Sequence, residues 1–277
     1  MPQVDFDFSD TNVFIAGGTS GINLGIAEGF AAAGARVAVM GRSQAKVDAA
    51  VARLRALGAE ATGAAADVRD PEATNAALRT AHAAFGDFDV LVSGAAGNFP
   101  ATALDMSPNG FRSVIDIDLL GTYHVLRNAY PLLRRPGALI INVSAPQAFL
   151  PMAMQSHVCA AKAGVDMLTR VLALEWGASG VRVNSIVPGA IEGTEGMDRL
   201  APTQEAKDIF TNAVPIGRWG TRRDLAGACL FLASPSAEYI TGVVLPVDGG
   251  MALGGASSAM ADITNSHSGT IGSGRGK

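Results

Sequence analysis

From Asn12 to Val247, short runs of β-branched residues alternate with longer Ala- and Leu-rich stretches. Asn12–Ala16, Arg36–Met40, Glu60–Ala66, Asp89–Ser93, Ala138–Val143, Arg182–Val187 and Val243–Val247 read as strands. Several are apolar at consecutive positions, the pattern of a strand covered on both faces. Between them, residues 23–34, 43–57, 71–86, 108–134, 154–178 and 222–233 carry helical periodicity. Pro71 suits a first helical turn, and Gly34, Gly58 and Gly86 stand where helices should stop. Parallel strands need long crossovers, so this alternation predicts an α/β fold: one parallel sheet with helices on both faces. The 277 residues divide into a single domain over 1–252 and a Gly/Ser-rich tail over 253–277.

Composition narrows the function classes. With 48% hydrophobic and 17% charged residues, the chain is neither disordered nor a solvated helical array. A net charge of −4 lacks the basic field of a nucleic-acid binder. No apolar run reaches the roughly 18–20 residues of a membrane span. Asp5, Asp7 and Asp10 occupy the region where a secretory signal would be basic and then apolar. Two cysteines, Cys159 and Cys229, suit a reducing compartment, and with four histidines at no ligand spacing no metal site is expected. The expectation is a cytoplasmic protein.

Directly after the first strand comes Gly17-Gly18-Thr19-Ser20-Gly21-Ile22-Asn23-Leu24-Gly25, which leads into a helix. Glycines at a strand-to-helix turn let backbone N–H groups approach a pyrophosphate, and the helix N-terminus favours its charge. A Gly-x-x-x-Gly-x-Gly spacing from Gly17 would place glycine at 23, where this chain has Asn23. An NAD-preferring fold usually ends its second strand on an acid that binds the ribose. Here the stretch is Val39-Met40-Gly41-Arg42-Ser43, and Arg42 suits a 2′-phosphate, so NADP(H) is the expected cofactor.

With Asp67-Val68, Lys162, Arg182-Val183-Asn184, Pro188-Gly189 and Val247-Asp248-Gly249-Gly250, the loop makes a series that resembles the short-chain dehydrogenase/reductase family over residues 10–250. The resemblance implies a seven-stranded Rossmann sheet, a homotetramer and hydride transfer with nicotinamide. It implies cofactor contacts from Gly17, Thr19, Ser20, Gly21, Ile22, Arg42, Ser43, Asp67, Val68, Ala95, Lys162, Pro188, Gly189, Ile191 and Thr194.

The family's catalytic tyrosine stands four residues before the lysine, which here is Val158, and its serine position is Ala145. Ser144 should point to the opposite face of its strand. His157 lies about 140° round the helix from Lys162, a poor substitute. Asp118 falls on one helical stripe with Val114, Gly121 and Val125, so its carboxylate should face inward, near Lys162. An Asp118–Lys162 pair that orients a water is the expected proton donor.

Ala95-Ala96-Gly97-Asn98-Phe99, Asp116-Ile117-Asp118, His157 with Ala160-Ala161-Lys162, and Gly193-Thr194-Glu195-Gly196 resemble the branch of peroxisomal-type 2,4-dienoyl-CoA reductases. That branch also lacks the tyrosine. The resemblance implies an acyl-CoA substrate contacted by Arg42, Arg69, Phe99, Ser107, Asn109 and Arg199. Asn98 suits a donor to the dienolate oxygen, while Phe149, Met152 and Met154 suit an acyl slot. The terminal Gly-Arg-Gly-Lys is not a Ser-Lys-Leu peroxisomal address. Two other functions stay open at this level: a small-carbonyl or alcohol dehydrogenase with another proton donor, and a catalytically silent NADP(H)-binding protein.

Overall fold

The computed structural model describes residues 5–254, so the tail beyond Gly254 lies outside the described residues. Seven strands form one parallel sheet in the order β3-β2-β1-β4-β5-β6-β7. They are β1 (Asn12–Ala16), β2 (Arg36–Gly41), β3 (Ala61–Ala65), β4 (Val90–Ser93), β5 (Leu139–Val143), β6 (Arg182–Pro188) and β7 (Val244–Val247). β1, β4 and β5 are buried at every position, as their unbroken apolar runs predicted.

Helices cover both faces. On one, α1 (Gly21–Ala32), α2 (Gln44–Ala56) and α9 (Arg222–Ala233) close a core around Ile15, Ile26, Phe30, Val39 and Leu54. On the other, α3 (Pro71–Phe85), α5 (Gly121–Ala129) and α6 (Ser156–Trp176) close a second around Phe14, Leu78, Phe88, Leu126 and Ile140. This is a Rossmann fold of the kind the alternation predicts. The strand order reverses between β1 and β4, and loops from both halves meet at the C-terminal strand ends there.

Three stretches depart from the sequence reading. Residues 108–134 are not one continuous α-helix: α4 (Pro108–Val114) passes into a π-helical segment, Ile115–Leu120, before α5 begins, and a 3₁₀ turn, Tyr130–Leu132, ends it. The extra residue in the ring is compatible with an apolar helical stripe, so periodicity alone conceals it. Two helices went unread, α7 (Glu195–Leu200) and α8 (Gln204–Asn212). Both are short and polar, which hides their period, although Thr194 and Thr203 cap them through their hydroxyls.

Candidate active site

The π-helical segment carries Asp118 and α6 carries Lys162; both side chains are buried, at 0% and 6% exposure. Asp118 Oδ1 accepts the Gly97 N–H at 2.7 Å, while Oδ2 stands 3.4 Å from Lys162 Nζ and makes no hydrogen bond. Lys162 Nζ donates to the Val143 carbonyl at 3.1 Å, which ties it to the end of β5. A buried carboxylate is costly to desolvate, and the ammonium beside it offsets that cost. The pair keeps one acceptor and spare ammonium donors for a small polar molecule. Val158 is buried beside Val114 and Ala161, so apolar packing fills the place where a phenol would stand. Ser144 is buried and Ala145 is half-buried at the end of β5.

The Gly97 N–H that holds Asp118 belongs to the loop after β4, and Asn23 braces that loop. Asn23 Nδ2 donates to Gly94 O at 2.7 Å and to Gly17 O at 3.4 Å, joining the loop to the glycine turn. A Cβ on Gly94 would lie 2.2 Å from Asn23 Oδ1, so the Asn23 side chain occupies the space that a side chain at 94 would need.

Asn98 suits either a donor to the dienolate or a brace within its own loop. Its Nδ2 donates to Gln155 Oε1 at 3.3 Å, which Gln147 Nε2 also reaches at 2.7 Å. That bond uses one of the two amide hydrogens of Asn98, and neither glutamine was singled out in the sequence. The available signal was spacing: Gln155 lies seven residues before Lys162, two turns along the same helical face. His157 is fully buried, with its ring edge-to-face against Phe99 at 4.7 Å and Nε2 unpartnered. A Cβ on Gly110 would meet Phe99 Cζ at 3.2 Å and Ser107 Oγ at 3.1 Å, so Phe99, Ser107 and the neighbouring Asn109 gather at one place. The Ala101 N–H donates to Met154 O at 2.9 Å, which ties the segment of Met154 to the loop that follows Phe99. The side chain of Arg199 lies outside what the structure describes.

The remaining residues line the edge where β1, β2 and β6 end. Gly17 and Gly18 donate their N–H groups to Met40 O, and Thr19 fills the space above Gly41. Gly21 has φ +57°, and a Cβ there would meet nothing within 4 Å, so the loop presents an open flank. The N-terminus of α1 is unusual: its cap residue Ser20 makes no side-chain hydrogen bond, and no acid stands in its first turn. The same holds for α2, whose cap is Ser43, next to the exposed Arg42. Two adjacent helix ends therefore keep free N–H donors and positive dipole ends.

Asp67 is held below the usual carboxylate range, chiefly by hydrogen bonds from Arg69, whose guanidinium contacts both carboxylate oxygens at 2.6–3.1 Å. The pair sits at the end of β3, near Arg42. Val68 is buried against Gly121, and Ala95 stands so close to Gly17 that a Cβ there would come within 2.9 Å of its backbone. Pro188 ends β6, Gly189 lies against Asp248, Ile191 is buried, and Thr194 Oγ1 donates to Ile191 O at 2.9 Å. An open glycine turn, uncapped helix ends and a nearby arginine fit a dinucleotide with its phosphates on this edge. Among the described residues no cluster of three or more His, Cys, Asp or Glu side chains could hold a metal, and no helix is long and apolar enough to cross a membrane.

Comparison with known proteins agrees with this geometry. A family model described as "Enoyl-(Acyl carrier protein) reductase" matches residues 16–252. The peroxisomal 2,4-dienoyl-CoA reductase [(3E)-enoyl-CoA-producing] of Arabidopsis thaliana is 43% identical over 247 residues, covering 86% of this chain and 83% of the relative. A probable 2,4-dienoyl-CoA reductase [(2E)-enoyl-CoA-producing] of Bacillus subtilis is 37% identical over 241 residues, covering 86% and 95%. Among solved structures, a short-chain type dehydrogenase/reductase from Mycobacterium ulcerans superposes with a TM-score of 0.85 at 32% identity, covering 90% of this chain and 92% of that one. With its seven-stranded parallel sheet, its glycine turn and its buried lysine on α6, the chain belongs to the short-chain dehydrogenase/reductase family, whose members are nicotinamide-dependent oxidoreductases.

Proposed function

We propose that the protein reduces a 2,4-dienoyl-CoA, or a related conjugated acyl thioester, with NADPH. The observation that carries the reading is the buried Asp118–Lys162 pair with an unfilled carboxylate oxygen, beside a valine where the family's phenol would be. Bound nicotinamide supplies hydride to the far end of the diene, and the electrons move to the thioester oxygen as a dienolate. A carbon remote from the hydride site then takes a proton, and a double bond remains between the two. A phenol placed for a carbonyl oxygen would be badly positioned for that carbon. A water held between Asp118 Oδ2 and Lys162 Nζ can supply the proton, and the amide cluster of Gln147, Gln155 and Asn98 shapes the adjoining wall. The names of the relatives support the substrate class.

For the cofactor, Arg42 and the uncapped α2 together favour the 2′-phosphate of NADPH over the bare ribose of NADH. Arg42 and Arg69 also suit the phosphates of a CoA ester. We further propose a homotetramer, on the apolar side chains Leu120, Tyr123, Met167 and Leu174 that α5, α6 and the π-helical segment leave exposed; sedimentation as a monomer would refute that assembly. The functional test is nicotinamide absorbance decay with a 2,4-dienoyl-CoA, run with NADPH and NADH in parallel and a 3-oxoacyl-CoA as control. Decay with NADPH and the dienoyl ester alone is the expected result. Decay on the 3-oxo ester alone would replace this reading with carbonyl reduction.

A further inference from the structure

The segment Gly189–Thr194 closes one side of the cofactor edge, and it is fastened to the residues just before α9. The Gly220 N–H donates to Ala190 O at 2.8 Å, and the Glu192 N–H to Gly220 O at 3.0 Å. Arg222 Nη2 donates to Gly193 O at 2.7 Å. The stem of Arg222 reaches that point by crossing the flank of α1 at Gly25. A Cβ on Gly25 would lie 2.4 Å from Arg222 Cβ and 3.1 Å from its Cδ, so any larger residue at 25 would displace the arginine. The guanidinium is thereby brought beside the first turns of α1, the helix with the uncapped N-terminus.

Two arginines near this edge are already committed. Arg218 is paired with both oxygens of Asp224, and Arg69 with Asp67. Arg222 is different: a single backbone carbonyl takes one of its five N–H groups, and it has no acidic partner among the described residues. A guanidinium anchored at one end and otherwise unspent, beside free helix N–H donors, is an anion ligand awaiting its anion.

We propose that Arg222 is a cofactor-binding residue that places its charge on the diphosphate bridge of the dinucleotide while it holds the Gly193 loop over it. The proposal rests on the dinucleotide reading of the site. It separates Arg222 from Arg42, which serves the adenosine end. The test is equilibrium binding of NADPH and of adenosine 2′-monophosphate, which has no 5′-phosphate and so no part of the diphosphate bridge, to the full chain and to Arg222→Ala, Arg222→Gln and Arg222→Lys. Gln keeps a donor for Gly193 O without the charge, and Lys keeps the charge.

NADPH should bind about tenfold more weakly to the Ala and Gln variants and within about threefold of the parent to the Lys variant. The 2′-monophosphate should bind all four proteins alike. NADPH binding that survives Arg222→Gln would reduce Arg222 to a neutral latch and overturn the proposal. Equal weakening of both ligands would overturn it too, as general damage to the site. A parent protein that binds neither NADPH nor NADH would instead refute the dinucleotide reading itself.

Discussion

Asp118 and Asp224 are both carboxylates beside a base, and they are built to opposite ends. Asp224, in the first turn of α9, is saturated: Oδ2 accepts from the Thr221 N–H at 2.7 Å, Thr221 Oγ1 at 2.9 Å and Arg218 Nη1 at 2.9 Å, and Oδ1 accepts from Arg218 Nη2 at 2.9 Å. It completes a capping box with Thr221, so both oxygens are engaged in holding the start of α9. Asp118 is far more buried, yet Oδ2 has no hydrogen bond. On the function proposed above, the difference separates an acid that caps α9 from one that would orient a water.

Asp118→Asn breaks this comparison most directly. Turnover should fall about a thousandfold, within the range for general acid–base groups, while dinucleotide binding persists. Stopped-flow absorbance gives the first quantity and fluorescence titration the second. Turnover within threefold of the parent would leave Asp118 as merely a second structural acid.

Asp224→Ala should show the opposite pattern, a loss of about 1 kcal/mol in stability from the lost cap, read by denaturant melts. The Arg218 guanidinium beside Asp224 holds its carboxyl well below the usual range. Its contribution is therefore fully present above the unfolded value of about 4 and disappears as pH falls through the depressed folded value. The parent's advantage over the Ala variant should thus shrink on acidification; an advantage that grew would contradict the assignment.

The smallest effect belongs to Asp166, where burial pushes the carboxyl up even though Ser185 Oγ donates to it at 3.1 Å. A raised acid favours the protonated fold, so its cost is absent below the unfolded value and grows as pH rises through the window between the two. Asp166→Asn should therefore match the parent near pH 4 and exceed it slightly near pH 7 in melting temperature. A variant less stable at pH 7 would show that the ionised carboxylate stabilises the fold and would contradict this assignment.

Much of this architecture is legible in the sequence because its signals are local. Consecutive apolar residues marked β1, β4 and β5, and glycines at 34, 58 and 86 lie just beyond α1, α2 and α3. The inward aim of Asp118 was readable too, because its neighbours on the stripe are buried. What could not be read depends on distant partners. The partner of Asn98, Gln155, lies 57 residues away, and that of Arg222, Gly193, lies 29 residues away, so neither contact has a local signal. The π-helical phase at Ile115–Leu120 leaves no mark in composition at all.

The contact between Asn23 and Gly94 limits how this site can change over time. Because the asparagine amide fills the volume a side chain at 94 would require, the two positions form one epistatic unit with a forced order of substitution. Position 23 must shrink before position 94 can grow, and the intermediate, glycine at both, has lost the tie between the glycine turn and the loop that holds Asp118. A lineage that carries this asparagine is thus walled off from the glycine form by a less-ordered step, so the pair should be inherited together or exchanged together.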